Sequence, residues 1–144
     1  MFYYAQALSK GIGVPEDQKE AFCYYKMSAD KGLTNAILIC SFHLSEGIGV
    51  EVNKEETARY LKIGSDQGCT DVMVNYAHML FTGDGIPVNK EEEIRYIKTA
   101  AEKGNLYGMF NKLIWYIIIN PSIFETNQFL IKKCRTSIIE YAEK

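Results

Sequence analysis

Histidine is almost missing from this sequence, and the residues able to carry chemistry stand at no productive spacing. The two histidines are His43 and His78. No cysteine or carboxylate lies at a ligand distance in sequence around either, so no metal site is expected. A Cys–His nucleophile is not expected either, because nothing marks a third group to orient it. The four cysteines, Cys23, Cys40, Cys69 and Cys134, are spaced 17, 29 and 65 apart (40 − 23, 69 − 40, 134 − 69). None forms a C-x-x-C pair, so they read as reduced thiols in a cytoplasmic compartment. Cys23 and Cys40 sit in apolar stretches, where cysteine serves as a small core residue.

Long apolar runs are also lacking. The densest, Leu113 to Ile119, is far short of the roughly 20 residues that span a bilayer. The opening Met1-Phe2-Tyr3-Tyr4-Ala5 has no basic region followed by an apolar one, so no secretory signal is expected. A surplus of one charge sign is lacking too. The formal net charge is −2, with no basic patch, which argues against a nucleic-acid partner. Neither a membrane nor a cofactor is expected. What is present is ordinary core material: 47% hydrophobic residues, 24% charged, seven Phe and ten Tyr in 144 residues, enough for one domain.

The dominant feature is a repeat. Gly11, Gly47 and Gly83 are 36 apart (47 − 11, 83 − 47), as are Gly13, Gly49 and Gly85, and Gly32, Gly68 and Gly104. Leu8, Leu44 and Leu80, Tyr24, Tyr60 and Tyr96, and Lys26, Lys62 and Lys98 keep the same step. A period of this size marks stacked structural units.

Each unit reads as two helices. Ala36, Cys40, Ser41 and Leu44 fall on one helical face, and Val72, Tyr76, Ala77 and Leu80 repeat it. Ala5, Ser41 and Ala77 are small at one position, which predicts a close helix crossing. A Gly-x-Gly then stops the helix in the left-handed conformation. It is not a phosphate loop, because it lacks the third glycine, a Gly-Lys-Ser/Thr sequence and a preceding strand. Asp17, Asn53 and Asn89 are N-caps of the second helix. Glu20, Glu56 and Glu92 stand three residues on, where a capping box needs them. Glu55 and Glu91 suit the first turn's dipole, and Lys26, Lys62 and Lys98 the other end. The acids therefore read as helix-stabilising rather than as an acid/base pair. The buried side is expected to be Ala21, Tyr25, Ser28 and Ala29, then Ala58, Leu61, Gly64 and Ser65, then Ile94, Ile97, Ala100 and Ala101.

This sequence pattern resembles the Sel-one-like repeat, a helical hairpin related to the tetratricopeptide repeat. It runs Ala-x3-Cys/Tyr-Ser/Ala-x2-Leu, Gly-x-Gly, Asn-Lys-Glu-Glu, Tyr, Lys and Ala-Asp/Glu-Lys-Gly. It covers Met1 to about Gly108. The resemblance implies an all-α, right-handed α-solenoid of antiparallel helix pairs that assembles other proteins as an adaptor. The units are expected at 1–32 (partial), 33–68 and 69–104, with a degenerate capping unit at 105–144, all in one domain. In that last unit Gly108 replaces Ala36 and Val72, Leu113 takes the small position, and Ile119-Asn120-Pro121 replaces the Gly-x-Gly. Pro121 predicts a helix end, and a final helix is expected from about Glu125 to Ala142, closing the stack.

With the packing face turned inward, helical geometry puts Leu38 and Phe42 on the opposite side, and His78, Phe81 and Phe110 in later units. In solenoids of this kind that side lines a concave groove. Glu46, Asn75 and Thr82 stand beside the row and could fix register. The competing reading is that stacked first helices bury the row as ordinary packing. The expected function is a non-catalytic scaffold that takes a peptide or helix from a protein partner. The alternative is a structural repeat segment of a larger signalling protein, with a kinase or ubiquitin-ligase domain elsewhere. Nothing in the sequence sets an oligomeric state.

Overall fold

Helix starts and stops follow the local chemistry, and one half of the expected capping arrangement is replaced. A computed structural model describes residues 1–110. It contains α1 (Phe2–Lys10), α2 (Gln18–Asp30), α3 (Thr34–Glu46), α4 (Lys54–Asp66), α5 (Thr70–Thr82) and α6 (Lys90–Glu102), and a further helix is under way at 106–110. Among the described residues there is no strand. The N-cap oxygens of Asp17, Asn53 and Asn89 accept from the N–H groups of Glu20, Glu56 and Glu92 at 3.0, 3.0 and 3.1 Å. The reciprocal bond of a capping box does not form. The caps' own N–H groups donate instead to the carbonyls of Leu8, Leu44 and Leu80 in the preceding helix. Glu56 and Glu92 are thereby released to reach the neighbouring repeat.

Gly11, Gly47 and Gly83 close α1, α3 and α5 with φ of 63, 74 and 73°, the left-handed conformation expected of them. The second glycine of the second and third turns has a different task. A Cβ on Gly49 would run into the Gln18 carbonyl and lie 2.9 Å from Lys19 N, and one on Gly85 would lie 2.7 Å from the Lys54 carbonyl. The turns of the second and third hairpins therefore rest on the first turn of the second helix of the hairpin before. A side chain at that contact would push two repeats apart.

The principal packing is between helices consecutive in the chain, which is the arrangement of a solenoid. The predicted faces of α3 and α5 are buried throughout, as are those of α2 and α4. On α6, Ile94 is only half-buried, and Tyr96 takes the larger share of the core. The small residues mark close crossings as expected. A Cβ on Gly64 would meet Val72 Cγ1 at 2.8 Å and Ile37 Cγ2 at 3.2 Å, so α4 can press on both flanking helices only through a glycine. Gly108 does the same against Ala100 and Ala101. That contact explains its replacement of a larger apolar residue.

A polar ladder locks repeat to repeat. The Tyr60 hydroxyl donates to Asp30 Oδ1 at 2.5 Å and accepts from Lys26 Nζ at 3.0 Å, and Lys26 also bonds Glu56 at 2.8 Å. One repeat later Tyr96 donates to Asp66 at 3.1 Å, and Lys62 lies 3.6 Å from Glu92. The hydrogen bond it donates to Glu56 keeps the Lys26 ammonium charged well above its usual range, and the same bond lowers the Glu56 carboxyl. These charges thus do more than suit the helix dipole: they bridge repeats. The expected features around Leu113, Pro121 and the final helix from Glu125 to Ala142 lie outside the described residues.

Candidate partner-binding groove

The stacking leaves a cleft of about 620 Å³ between α3 and α5. Thr57 and Leu61 of α4 lie beneath it, and Tyr107 of the following helix reaches its edge. Of the residues singled out from sequence, Leu38, Phe42, Glu46, Asn75 and His78 come together on its walls. Phe81, Thr82 and Phe110 are exposed but outside the cleft. The Thr82 hydroxyl is turned back on its own helix, donating to the His78 carbonyl at 3.0 Å.

Exposure separates groove from packing. Phe42 is 57% exposed, Phe81 56% and Phe110 51%, so these rings are not core. Leu38 and Val74 do pack against the α5 core and form the apolar wall beneath the rings. The two histidines part company. His78 faces the cleft, whereas His43 is buried with its Nδ1 donating to the Ile48 carbonyl at 2.9 Å. His43 packs on Phe22 and Tyr25. Burial pushes its pKa below the usual value, so it is a neutral brace for the glycine turn.

A short polar relay crosses one end of the cleft. Lys54 Nζ lies 3.3 Å from Asp84 Oδ2 and donates to Ser45 Oγ at 3.1 Å. The Ser45 hydroxyl in turn donates to Glu46 Oε1 at 3.2 Å. Sequence reasoning missed Lys54, Asp84 and Tyr107. Asp84 carried a signal: it stands where the earlier turns have Ile12 and Ile48. Its turn rests on the start of α4, and a carboxylate there meets the Lys54 ammonium. Lys54 and Tyr107 gave no signal, because only the stacking brings them to the cleft. Among the described residues no cluster of His, Cys, Asp and Glu could hold a metal ion, and no helix is long and apolar enough to cross a membrane.

The Sel1 repeat profile matches this sequence at residues 1–33, 37–69 and 70–105. Solved structures share the architecture, three of them as follows. A protective antigen present in uropathogenic Escherichia coli strains, displaying an SLR fold, is 28% identical with a TM-score of 0.72 over 81% of this chain. A Sel1 repeat protein from Oxalobacter formigenes is 26% identical with a TM-score of 0.74 over 83%. Cysteine rich protein B of Helicobacter pylori is 14% identical with a TM-score of 0.60 over 71% of this chain and 84% of its own, a likeness of fold alone. The matches span 24% of the E. coli chain and 49% of the O. formigenes chain. No curated protein sequence matches the chain.

Proposed function

The chain belongs to the Sel1 repeat family, and from that premise we propose that it is a binding module whose cleft between α3 and α5 receives a peptide or helix from a protein partner. Proteins built of Sel1 repeats generally mediate protein–protein interactions, and the solenoid is typically a non-catalytic scaffold. The observation that carries the reading is Phe42. It is a large aromatic residue left 57% exposed over a concave, partly apolar cleft, on a helix whose other apolar residues are buried or half-buried apart from Leu33, which caps it. Concave sites with an apolar lining and a few placed polar groups are where ligands bind. Phe81, Thr82 and Phe110 extend the contact surface past the cleft. We also propose a cytoplasmic location, which Cys23, Cys40 and Cys69, free among the described residues, would suit.

The test is Phe42→Ala combined with Phe81→Ala. Both rings are exposed, so circular dichroism and the thermal midpoint should stay as in the parent. Affinity for the partner recovered by pull-down should fall by about thirtyfold or more, the effect of losing an aromatic anchor worth about 2 kcal/mol. A folded double variant that keeps its partner would move the binding surface elsewhere.

A further inference from the structure

We propose that the groove selects an extended peptide in which an apolar side chain is accompanied by a lysine or arginine, with Glu46 as the residue that receives the cation. This rests on the reading of the groove as a peptide site and adds the chemistry of its occupant.

Three charged side chains line the cleft: Glu46, Lys54 and Asp84. The one cation is already committed, 3.3 Å from Asp84 and hydrogen-bonded to Ser45. Ser45 passes the constraint on, holding one oxygen of Glu46 at 3.2 Å. Glu46 is thus a positioned, exposed carboxylate with no ion-pair partner among the described residues. The charged side chains of the cleft therefore sum to an excess of negative charge.

Two of the three repeats show what a carboxylate beside a ring holds; in the first, where Cys23 stands in place of Arg59, Glu20 and Tyr24 hold no cation among the described residues. Glu56 and Tyr60 lie one turn apart on α4. Arg59 sits 3.3 Å from the carboxylate and 4.5 Å from the ring centre, with Lys26 also in reach. On α6, Glu92 and Tyr96 hold Arg95 in the same way, at 3.4 and 4.8 Å. Phe42 and Glu46 also lie one turn apart on one helical face, with ring and carboxylate in the opposite order. Both are exposed, both line the cleft, and among the described residues no cation lies over the ring. An incoming lysine or arginine would find an aromatic face and a carboxylate together, which favours a cation on both counts. Leu38 and Val74 offer the apolar seat. The Asn75 amide makes no side-chain hydrogen bond among the described residues, and it can pair with the donor and acceptor of an extended main chain.

The experiment exposes the full chain to an oriented synthetic peptide library with one fixed leucine and all other positions randomised. Bound peptides are expected to be enriched in Lys and Arg at one fixed distance from the leucine. Glu46→Gln should reduce that enrichment about tenfold, the scale of losing a hydrogen bond to a charged group. Glu46→Lys should turn it toward Asp and Glu. Circular dichroism of the variants checks the fold, which an exposed side chain should not disturb. If no peptide is enriched, the groove reading falls and the inference with it. If peptides bind and Phe42→Ala abolishes binding, but Lys and Arg are not favoured or Glu46→Lys leaves the preference unchanged, only the inference is overturned.

Discussion

Replacing Gly49 by alanine should separate two reasons for a glycine that look identical in sequence. Gly13, Gly49 and Gly85 all have positive φ, 73, 69 and 79°. Any side chain there meets the left-handed penalty of about 1–2 kcal/mol. At Gly13 that is the whole effect, because its added Cβ has nothing within 4 Å. At Gly49 the Cβ would fall on the Gln18 carbonyl and within 2.9 Å of Lys19 N. This is backbone at the start of a capped helix and cannot rotate aside as a side chain tip would. Overpacking of this kind adds about 1–3 kcal/mol. Gly49→Ala should therefore destabilise by about 2–5 kcal/mol and Gly13→Ala by about 1–2 kcal/mol, with Gly85→Ala behaving like Gly49→Ala. Urea unfolding followed by far-UV circular dichroism on the full chain reads the difference. Equal losses for Gly13→Ala and Gly49→Ala would refute the claim that Gly49 and Gly85 are contacts between repeats.

Tyr60→Phe removes a hydroxyl bonded to both Asp30 and Lys26, and should cost about 1–2 kcal/mol in unfolding free energy. Tyr96→Phe, which loses the 3.1 Å bond to Asp66, should cost less. Acidification should destabilise the fold. The buried His43 has its pKa lowered from 6.5, so between that value and its folded pKa the unfolded chain binds more protons. Stability is then complete above the unfolded value and is lost as pH falls below it. His43→Met, which copies the buried Met79 of the next repeat, should flatten the thermal midpoint between about pH 5 and 7; an unchanged slope would remove His43 as the cause. Thiol labelling of the native protein should be fast at exposed Cys23 and blocked at buried Cys40, whose pKa burial pushes up to about 12. In denaturant without reductant four thiols are expected, and a count of two or none would place the protein in an oxidising compartment.

The sequence alone determined what depends on neighbours within one hairpin. Glycine ends a helix because only it accepts positive φ without strain. Asn and Asp begin one because their side chains reach the third N–H. Apolar residues at helical spacing choose the face that packs. These are contacts over three or four residues, so Gly47, Asn53 and the Ala36–Leu44 face were legible directly, and the 36-residue step then implied a stack. The rows of the groove were half legible, since helix geometry says which side Phe42 takes but not what lies opposite it. Only the tertiary structure decided which repeat each charge serves. Glu56 completes a capping box by pattern, yet it bonds Lys26, 30 residues earlier, because the cap's own N–H is already held by Leu44. It likewise decided that Lys54 and Asp84, also 30 apart (84 − 54), meet at the cleft, and that Ser45 hands Glu46 its orientation. The offset between repeats is fixed where the Gly49 turn rests on the start of α2. That contact sets which side chains face one another across the stack, and it is invisible to any rule that counts along a single helix.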